Sequence, residues 1–391
     1  MKKIANIATV SIFLLLIFGI ALAFWILPDK AFSDEENRSL RTFPAFSVDS
    51  LLSGAYSDAV NVYFADQFPL RDGFVGWKGM VEYLQGKGEN NGILLGKNQQ
   101  LARRLFDIRR GNGGVTNDMD LPDPKVLRAA VDAIERVDAS LTVPFSVMLT
   151  PRPIDVAAEA FDYPAEISTG ISNSFYGSLS ESVSAVDLLP ELHLRYANGE
   201  YVYYRTDHHW TTLGAYYAYA ALMREWGMEA EIIPIEAFDR QVVSNSFYGT
   251  LWSAGGMKWV APDSVEFWRF YNEGEFSVIA DGKSLNGFYN EDCLLKKDKY
   301  AAFLDGTHDV VTVTKNTSEP RPRLVLFKDS FANSLCPFLA QHFDLILLNL
   351  SSARTDFTNV SAYARQYSAD RVLLLYTLEN VITADRIGDL Q

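Results

Sequence analysis

The sequence predicts an α/β fold: a mainly parallel sheet with helices on both sides, preceded by an N-terminal helix that can cross a membrane. Apolar runs of strand length at 324–327, 345–350 and 372–376 are typical of strands buried on both faces. A similar run at 145–149 lies among helical patterns, which is expected of a parallel sheet. The apolar run at 4–27 predicts the N-terminal helix.

The overall composition indicates a globular protein of one large domain or two ordinary ones. Of its 391 residues, 48% are hydrophobic and 13% aromatic, so the chain can bury a large core. Charged residues make up 21% without long runs of one sign, which argues against extensive disorder. The net charge of −14 argues against nucleic acid and anionic lipid surfaces as partners. A polysaccharide is compatible with this charge.

Residues 1–28 are predicted to form a membrane anchor or a signal segment. Lys2 and Lys3 precede the apolar run and acidic residues follow it, so we expect the N-terminus inside the cell and the body outside. Residues 21–23 read Ala-Leu-Ala, which resembles a signal-peptidase site. The apolar run continues past this site to Leu27 and is long for a signal peptide, so an uncleaved single-pass anchor is favoured. The body is extracytoplasmic in both cases.

A helical extension is predicted at 29–90, before the main domain at 91–391. Aromatic and aliphatic residues recur at three-to-four spacing across 50–83, which indicates helix, and Pro69 is expected to break it in two. Glycines within 90–101 predict a short hairpin that opens the main domain.

The main domain continues with alternating helix and strand patterns. A helix is predicted at 124–139, a short strand at 184–188, and a second helix that Thr212 caps and Gly227 ends. The stretch 232–316 is rich in Gly, Ser, Asn and aromatic residues, so we expect a large irregular insertion near the site.

The two cysteines allow at most one disulfide in an exported chain. Cys293 lies in a polar stretch, whereas Cys336 lies among apolar residues and is better explained as a small buried side chain. The sequence has no Cys/His spacing typical of zinc. Neither a metal nor another cofactor is predicted.

The segment Asp207-His208-His209-Trp210 carries the strongest functional signal. An Asp and a His two residues apart on an extended segment point to the same side, so Asp207 can orient His209 as a general base. The structural alternatives are a turn-forming Asp and a core His. All three polar residues are metal-ligand types, but adjacent histidines on a strand face opposite sides, so a metal-dependent hydrolase is the least favoured function.

Ser330 is the predicted nucleophile. It follows the apolar run at 324–327 and precedes a helical pattern, which places it at the C-terminal edge of the sheet. Backbone N–H groups around Ser330 and Phe331 can then stabilise an oxyanion. The alternative is that Ser330 only caps the helix. Trp210 is expected to pack beside the site, with sugar stacking as the alternative.

These residues resemble the DHHW family of bacterial exported proteins, which is similar to the SGNH-hydrolase-like alginate O-acetylation proteins. The resemblance covers most of the chain after the anchor. It is carried by the following segments: Glu36-Asn37-Arg38, 66–72, 207–210, Gly214-Ala215-Tyr216, 247–250 and Lys328-Asp329-Ser330.

The resemblance implies an SGNH-like fold and a triad of Ser330, His209 and Asp207. It leaves His208 at a variable position without a role. The order Asp–His–Ser is explained as a permuted form of the same geometry. The implied activity is O-acetylation of an exported or cell-wall polysaccharide, by transfer or by ester hydrolysis. The implied partner is a membrane-bound O-acyltransferase that passes acetyl groups across the membrane.

A second function is that of a non-catalytic polysaccharide-binding or assembly protein with the same fold, and it is favoured by the Gly- and aromatic-rich insertion and by the departure from the SGNH pattern at Lys328. Lys328 stands where the pattern has glycine, and the segments that complete the oxyanion hole have no match. Arg152 and Asn333 are candidates for oxyanion or substrate contacts, with a surface arginine and a helix-turn polar residue as the alternatives.

Overall fold

The computed structural model describes residues 2–33, 35, 38–104, 124–161, 166–383 and 386–391. Glu36 and Asn37 of the family resemblance lie outside the described residues. The chain forms two compact units. One contains Met1–Lys87 with Gly256–Trp259, and the other contains Gly88–Gly255 with Val260–Gln391.

The first unit is mainly helical. Its first helix contains a segment, Ile4–Ile26, that is long and apolar enough to span a membrane, with a mean hydropathy of 2.7 and no burial of its side chains. A short antiparallel pair and three further helices follow, and the predicted break falls at Pro69. The elements are α1 (Lys2–Ile26), β1 (Phe32–Ser33), β2 (Arg38–Ser39), α2 (Val48–Leu52), α3 (Ala55–Asp66) and α4 (Arg71–Leu84).

Two segments of the family resemblance meet in this unit. The Arg38 guanidinium donates to both carboxylate oxygens of Asp66, at 3.2 and 2.5 Å, and the Arg41 backbone N–H donates to the same carboxylate at 2.9 Å. Asp66 is buried. A buried carboxylate is stable only when it is paired and hydrogen-bonded, so this contact ties the loop before α2 to the end of α3.

The second unit is built on an eight-stranded sheet with the order β11-β10-β12-β14-β13-β15-β6-β7. Five strands run parallel to one another: β14, β13, β15, β6 and β7. The other three, β12, β10 and β11, each pair antiparallel with their neighbours in the sheet. The strands of this unit are β3 (Glu89–Asn90), β4 (Ile93–Leu95), β5 (Leu101–Arg103), β6 (Phe145–Thr150), β7 (Ser184–Asp187), β8 (Asp239–Phe247), β9 (Asp263–Arg269), β10 (Phe276–Ala280), β11 (Lys283–Leu285), β12 (Val310–Lys315), β13 (Arg323–Lys328), β14 (Asp344–Asn349) and β15 (Arg371–Thr377).

Helices cover both faces of this sheet. Alternate residues of β13 enter two different hydrophobic clusters: Leu326 packs in the cluster that includes α9 and α11, and Val325 in the cluster that includes α5, α12 and α13. The predicted α/β fold with a mainly parallel, doubly covered sheet is confirmed. The helices are α5 (Pro124–Ser140), α6 (Pro153–Val156), α7 (Glu166–Tyr176), α8 (Leu189–Ala197), α9 (Thr212–Glu225), α10 (Thr250–Gly255), α11 (Ala332–Ala340), α12 (Val360–Gln366) and α13 (Leu378–Thr383).

The expected irregular insertion at 232–316 is more regular than predicted. It contains β8 and β9, which form an antiparallel pair, and β10 to β12, which extend the central sheet. In β10 the residues Phe276, Val278 and Ala280 are buried and alternate with more exposed ones. Short, half-buried strands of this kind lack the continuous apolar run that marks the parallel strands.

Two smaller differences concern local structure. The residue that caps α9 is Thr211, not Thr212, because the Thr211 hydroxyl accepts the Gly214 N–H at 3.2 Å. The hairpin expected at 90–101 is a three-stranded antiparallel sheet, β3-β4-β5. Cys293 and Cys336 are both buried and free.

Candidate active site

Ser330 lies where the parallel strands end. Strand β13 stops at Lys328 and α11 begins at Ala332, so Ser330 occupies the turn between them at the C-terminal edge of the sheet. Turns in this position are the usual binding sites of open α/β sheets.

The segment Asp207–Trp210 forms a tight turn, whereas the sequence predicted an extended strand. The turn is closed by an antiparallel bridge between Tyr203 and Trp210 and by the Tyr204 N–H, which donates to the His209 carbonyl at 3.2 Å. Asp207 and His209 therefore meet because the backbone folds back on itself. The alternation of side chains along a strand has no part in it.

The structure brings Asp207, His209 and Ser330 together in one line of hydrogen bonds. His209 Nε2 lies 2.7 Å from Ser330 Oγ, and His209 Nδ1 lies 2.6 Å from Asp207 Oδ1. The His209 backbone N–H donates to the same carboxylate oxygen at 3.0 Å. A carboxylate that accepts from Nδ1–H leaves the lone pair of Nε2 directed at the serine hydroxyl. This arrangement has the geometry needed to remove the hydroxyl proton.

Thr250 and Gly249 complete the surroundings of Asp207. The Thr250 backbone N–H and hydroxyl donate to Asp207 Oδ2 at 2.8 and 3.1 Å. Gly249 packs so closely that a Cβ there would overlap Asp207 Cβ and Oδ2. Space requires a glycine at this contact, because only glycine lets the backbone come this near. The family resemblance included both residues without assigning a role to either.

The Asp207 carboxyl is held in its ionised form. Burial acts to raise its pKa, but His208, His209 and the Thr250 N–H together hold the pKa well below the usual range of an aspartate. The acceptor of the His209 Nδ1 proton is therefore a full negative charge at neutral pH, which stabilises a protonated imidazole.

Aromatic rings enclose His209 on two sides. Tyr300 stacks on the imidazole with ring centroids 3.7 Å apart and planes inclined by 9°, and the Phe331 ring lies at 4.8 Å. The Tyr300 hydroxyl donates to the Ser330 carbonyl at 3.2 Å and lies 3.0 Å from Ser334 Oγ. Tyr300 was missed in the sequence because it lies in the segment 232–316, where no pattern singled it out.

Ser330 opens into a cavity of about 290 Å³. Its lining combines apolar side chains with groups that can form hydrogen bonds or carry charge. The apolar lining residues are Pro151, Pro153, Ile154, Leu251 and Phe331, and the polar ones are Arg103, Arg152, His208, Thr250, Asp329, Ser330, Thr377, Glu379 and Asn380.

The residues predicted to contact an oxyanion or substrate differ in position. Arg152 lines the cavity with Ser330. The Phe331 backbone N–H, in contrast, donates to Asp329 Oδ1 at 3.1 Å, so in this state it is engaged within the protein. Trp210 is fully buried, and its indole N–H donates to Ser334 Oγ at 2.8 Å. Sugar stacking on Trp210 is excluded by this burial, and packing explains the residue.

Asn333 and Lys328 form a buried pair beneath the turn. Lys328 Nζ donates to Asn333 Oδ1 at 2.7 Å, and Asn333 Nδ2 donates to the Gly306 carbonyl at 2.9 Å. Asn333 is therefore engaged as a structural partner of Lys328, as in the alternative of a helix-turn polar residue. Burial lowers the pKa of Lys328 to about 8. Lys328 replaces the glycine of the SGNH pattern without entering the cavity lining.

The ligand-type atoms of Asp207, His208 and His209 lie within 4.8 Å of one another. Both nitrogens of His209 and both oxygens of Asp207 take part in the hydrogen bonds given above. A metal ion at this position would have to displace those bonds. The donor set thus fits a proton-transfer site better than a metal centre.

Solved structures with a similar fold include Bacillus cereus PatB1 with a sulfonyl adduct, which has a TM-score of 0.60 and 20% identity and covers 76% of this chain and 100% of that one. A DHHW family protein from Eubacterium siraeum has a TM-score of 0.57 and 18% identity. The match covers 77% of this chain and 95% of that one. These likenesses concern the fold.

Curated relatives are described as probable alginate O-acetylase AlgJ. The protein from Pseudomonas syringae pv. tomato is 29% identical over 217 residues, which are 53% of this chain and 52% of the relative. The protein from Pseudomonas fluorescens is 29% identical over 188 residues, or 45% of each chain. The chain thus matches about half the length of these relatives. The family model described as DHHW protein matches residues 36–95 and 173–348, more than half of the sequence, and the chain belongs to the DHHW family.

Proposed function

We propose that this protein is an extracytoplasmic serine O-acyltransferase or acetylesterase with an SGNH-like fold that acts on an exported or cell-wall polysaccharide. The observation that carries the proposal is the line of hydrogen bonds from Ser330 through His209 to the ionised Asp207, at the mouth of a cavity. A buried carboxylate with a strongly lowered pKa beside an imidazole and a hydroxyl in a cavity is typical of functional sites.

In the first step Ser330 Oγ attacks the carbonyl carbon of an acyl donor, and His209 Nε2 takes the hydroxyl proton. Asp207 stabilises the imidazolium, which then returns the proton to the departing group. Two positive or polar groups are near the developing oxyanion: Arg152 in the cavity lining, and the backbone around Phe331 once its N–H leaves Asp329.

In the second step the acyl group leaves Ser330 for a hydroxyl of a sugar or for water. The curated relatives are described as O-acetylases of alginate, and their likeness to half of this chain supports an acetyl group and a polysaccharide acceptor. The cavity lining combines apolar and polar side chains, which suits a short acyl chain beside a hydroxyl-rich acceptor.

The helix α1 is assigned to hold the active unit at the outer face of the cell membrane, as a single-pass anchor. An acetyl donor made in the cytoplasm must then be delivered across the membrane by another protein. A membrane-bound O-acyltransferase is the partner class that fits this need.

A serine-reactive fluorophosphonate tests the proposal. We expect it to label the wild-type protein and the matched control Ser284→Ala, which removes an exposed serine of β11, but not Ser330→Ala. The same pattern is expected for hydrolysis of p-nitrophenyl acetate. The absence of Ser330-dependent labelling together with the absence of ester turnover would remove the enzyme proposal and favour the non-catalytic polysaccharide-binding alternative.

A further inference from the structure

His208 is a second imidazole at the cavity, and the two steps above give it no task. Its side chain is 40% exposed and lines the same cavity as Ser330. Its ring lies over that of His209, with centroids 3.9 Å apart and planes inclined by 39°. What His208 can bind depends on which of its two nitrogens carries the proton.

The hydrogen bonds of Thr250 determine the proton position on His208. Thr250 Oγ1 lies 3.1 Å from Asp207 Oδ2 and 2.7 Å from His208 Nδ1. An ionised carboxylate only accepts, so the single hydroxyl proton of Thr250 goes to Asp207. The hydroxyl oxygen must then accept from His208, which places a proton on Nδ1.

The other nitrogen of His208 is left as an acceptor. Within the described part of the chain, Nε2 has no hydrogen-bond partner. Partial burial and the neighbouring His209 lower the pKa of His208 below its ordinary value, so at neutral pH the ring is uncharged. Its Nε2 then carries a lone pair.

Both imidazoles face the Asp207 carboxylate through Nδ1. Both rings approach Asp207 Oδ1 through Nδ1, at 2.6 Å for His209 and 3.5 Å for His208. Each Nε2 therefore lies on the side of its ring away from the carboxylate. For His209 this is the side of Ser330.

We propose that His208 Nε2 accepts a hydrogen bond from a second hydroxyl of the acyl acceptor, so that the site selects acceptors with two neighbouring hydroxyls, as on a sugar ring. This inference rests on the proposed function and gives its acceptor subsite. His208 acts here as a substrate-positioning residue.

The transfer step leaves room for this contact. The attacking hydroxyl oxygen bonds to the acyl carbon and its proton passes to His209 Nε2. When the tetrahedral intermediate collapses, the bond from the acyl carbon to Ser330 Oγ breaks and Oγ takes the proton back from His209. A hydroxyl has one proton, so the attacking group cannot also donate to His208. A neighbouring hydroxyl can, because the His208 ring lies against that of His209, with centroids 3.9 Å apart, and lines the same cavity as Ser330.

Two variants of the full-length protein in detergent separate the polar contact from the shape of the side chain. His208→Phe keeps a ring and removes the acceptor, whereas His208→Gln returns an acceptor oxygen near the position of Nε2. Each protein is acetylated with p-nitrophenyl acetate and offered ethane-1,2-diol or ethanol, and the two acetyl esters are quantified. We expect wild type to prefer the diol, His208→Phe to lose about fivefold to tenfold of that preference, and His208→Gln to keep part of it. The initial burst of p-nitrophenol is recorded for each protein, so that a change in acylation is separated from a change in diol preference.

An unchanged diol preference in His208→Phe overturns the inference. A wild-type protein without a burst counts against the proposed function instead. A second measurement needs no turnover: in Ser330→Ala, the ¹⁵N resonance of His208 Nε2 is followed during titration with each alcohol. We expect the diol to shift it and ethanol to leave it in place. Equal responses to both alcohols overturn the acceptor subsite, whether or not the wild-type protein is active.

Discussion

Tyr300 lies flat against His209, and its hydroxyl donates to the backbone carbonyl of Ser330. One side chain thus orients the imidazole and the turn that carries the serine. Stacking fixes the plane of the imidazole and leaves both its nitrogens for Asp207 and Ser330. The residue comes from a single 3₁₀ turn, Tyr300–Ala302, in the segment between β11 and β12.

Substitution of Tyr300 is expected to lower kcat on acetyl esters in two steps. Tyr300→Phe loses the hydroxyl contacts and keeps the stack, so kcat falls about threefold. Tyr300→Ala also loses the stack, which costs a further factor of about three to ten because the imidazole is no longer held. Steady-state kinetics measure both effects, and urea unfolding of each variant shows how far stability contributes. Equal kcat values in wild type and Tyr300→Ala would show that the stack has no part in catalysis.

The sequence predicted the parallel strands and Ser330 because both leave local signals. Strands buried on both faces are apolar along most of their length, as 324–327 of β13 and 372–376 of β15 are, and the turn after such a strand is a fixed place in the fold. The proximity of Asp207 and His209 was also predicted, although for the wrong reason. The two residues are close in sequence, so a turn and an extended strand give the same outcome.

The contacts of Tyr300, Thr250 and Lys328 could not be predicted from the sequence. The first two reach the site from a segment without periodic apolar spacing, and their contacts depend on how β8 to β12 pack. Lys328 resembled a departure from the family pattern, yet its charge is buried against Asn333. Each of these contacts depends on the packing of the folded chain and leaves no pattern in the sequence.

Gly249 is expected to be required for activity because of its contact with Asp207. Gly249→Ala places a methyl group where Asp207 Cβ and Oδ2 already lie, so the carboxylate must move away from His209. We expect kcat to fall by at least tenfold and the free energy of unfolding to fall by about 1–3 kcal/mol. The matched control is Gly274→Ala, whose added Cβ meets no atom within 4 Å. Full activity in Gly249→Ala would mean that Asp207 does not need its present position.

Removal of residues 1–28 is expected to release the protein from membranes. The full chain should stay in the membrane pellet after a carbonate wash, because α1 has the length and hydropathy of a membrane span. The chain from residue 29 should be found in the soluble fraction, with unchanged turnover of p-nitrophenyl acetate. N-terminal sequencing of the mature protein distinguishes the two predicted fates of the segment. A soluble protein that starts after Ala23 would establish a cleaved signal peptide.

Lys328 is expected to make stability rise with pH in alkaline solution. Burial lowers its pKa from 10.5 to about 8. Between these values the unfolded chain binds a proton that the folded protein has lost. The free energy of unfolding therefore increases with pH across this window, by up to about 1.4 kcal/mol per pH unit. Below pH 8 both states are protonated, and the contribution of Lys328 no longer changes with pH.

Urea unfolding of wild type, Lys328→Met and the exposed control Lys283→Met measures this rise. Tyr203 and Tyr300 are buried with raised pKa values, and they act in the opposite sense near pH 10, because the folded protein keeps their protons longer than the unfolded chain. This contribution is common to all three proteins and cancels in their differences. The free energy of unfolding of wild type should rise relative to that of Lys328→Met from pH 8 to pH 9.5. Relative to that of Lys283→Met it should stay constant. Parallel curves for all three proteins would show that Lys328 is not buried as a lysine with a lowered pKa.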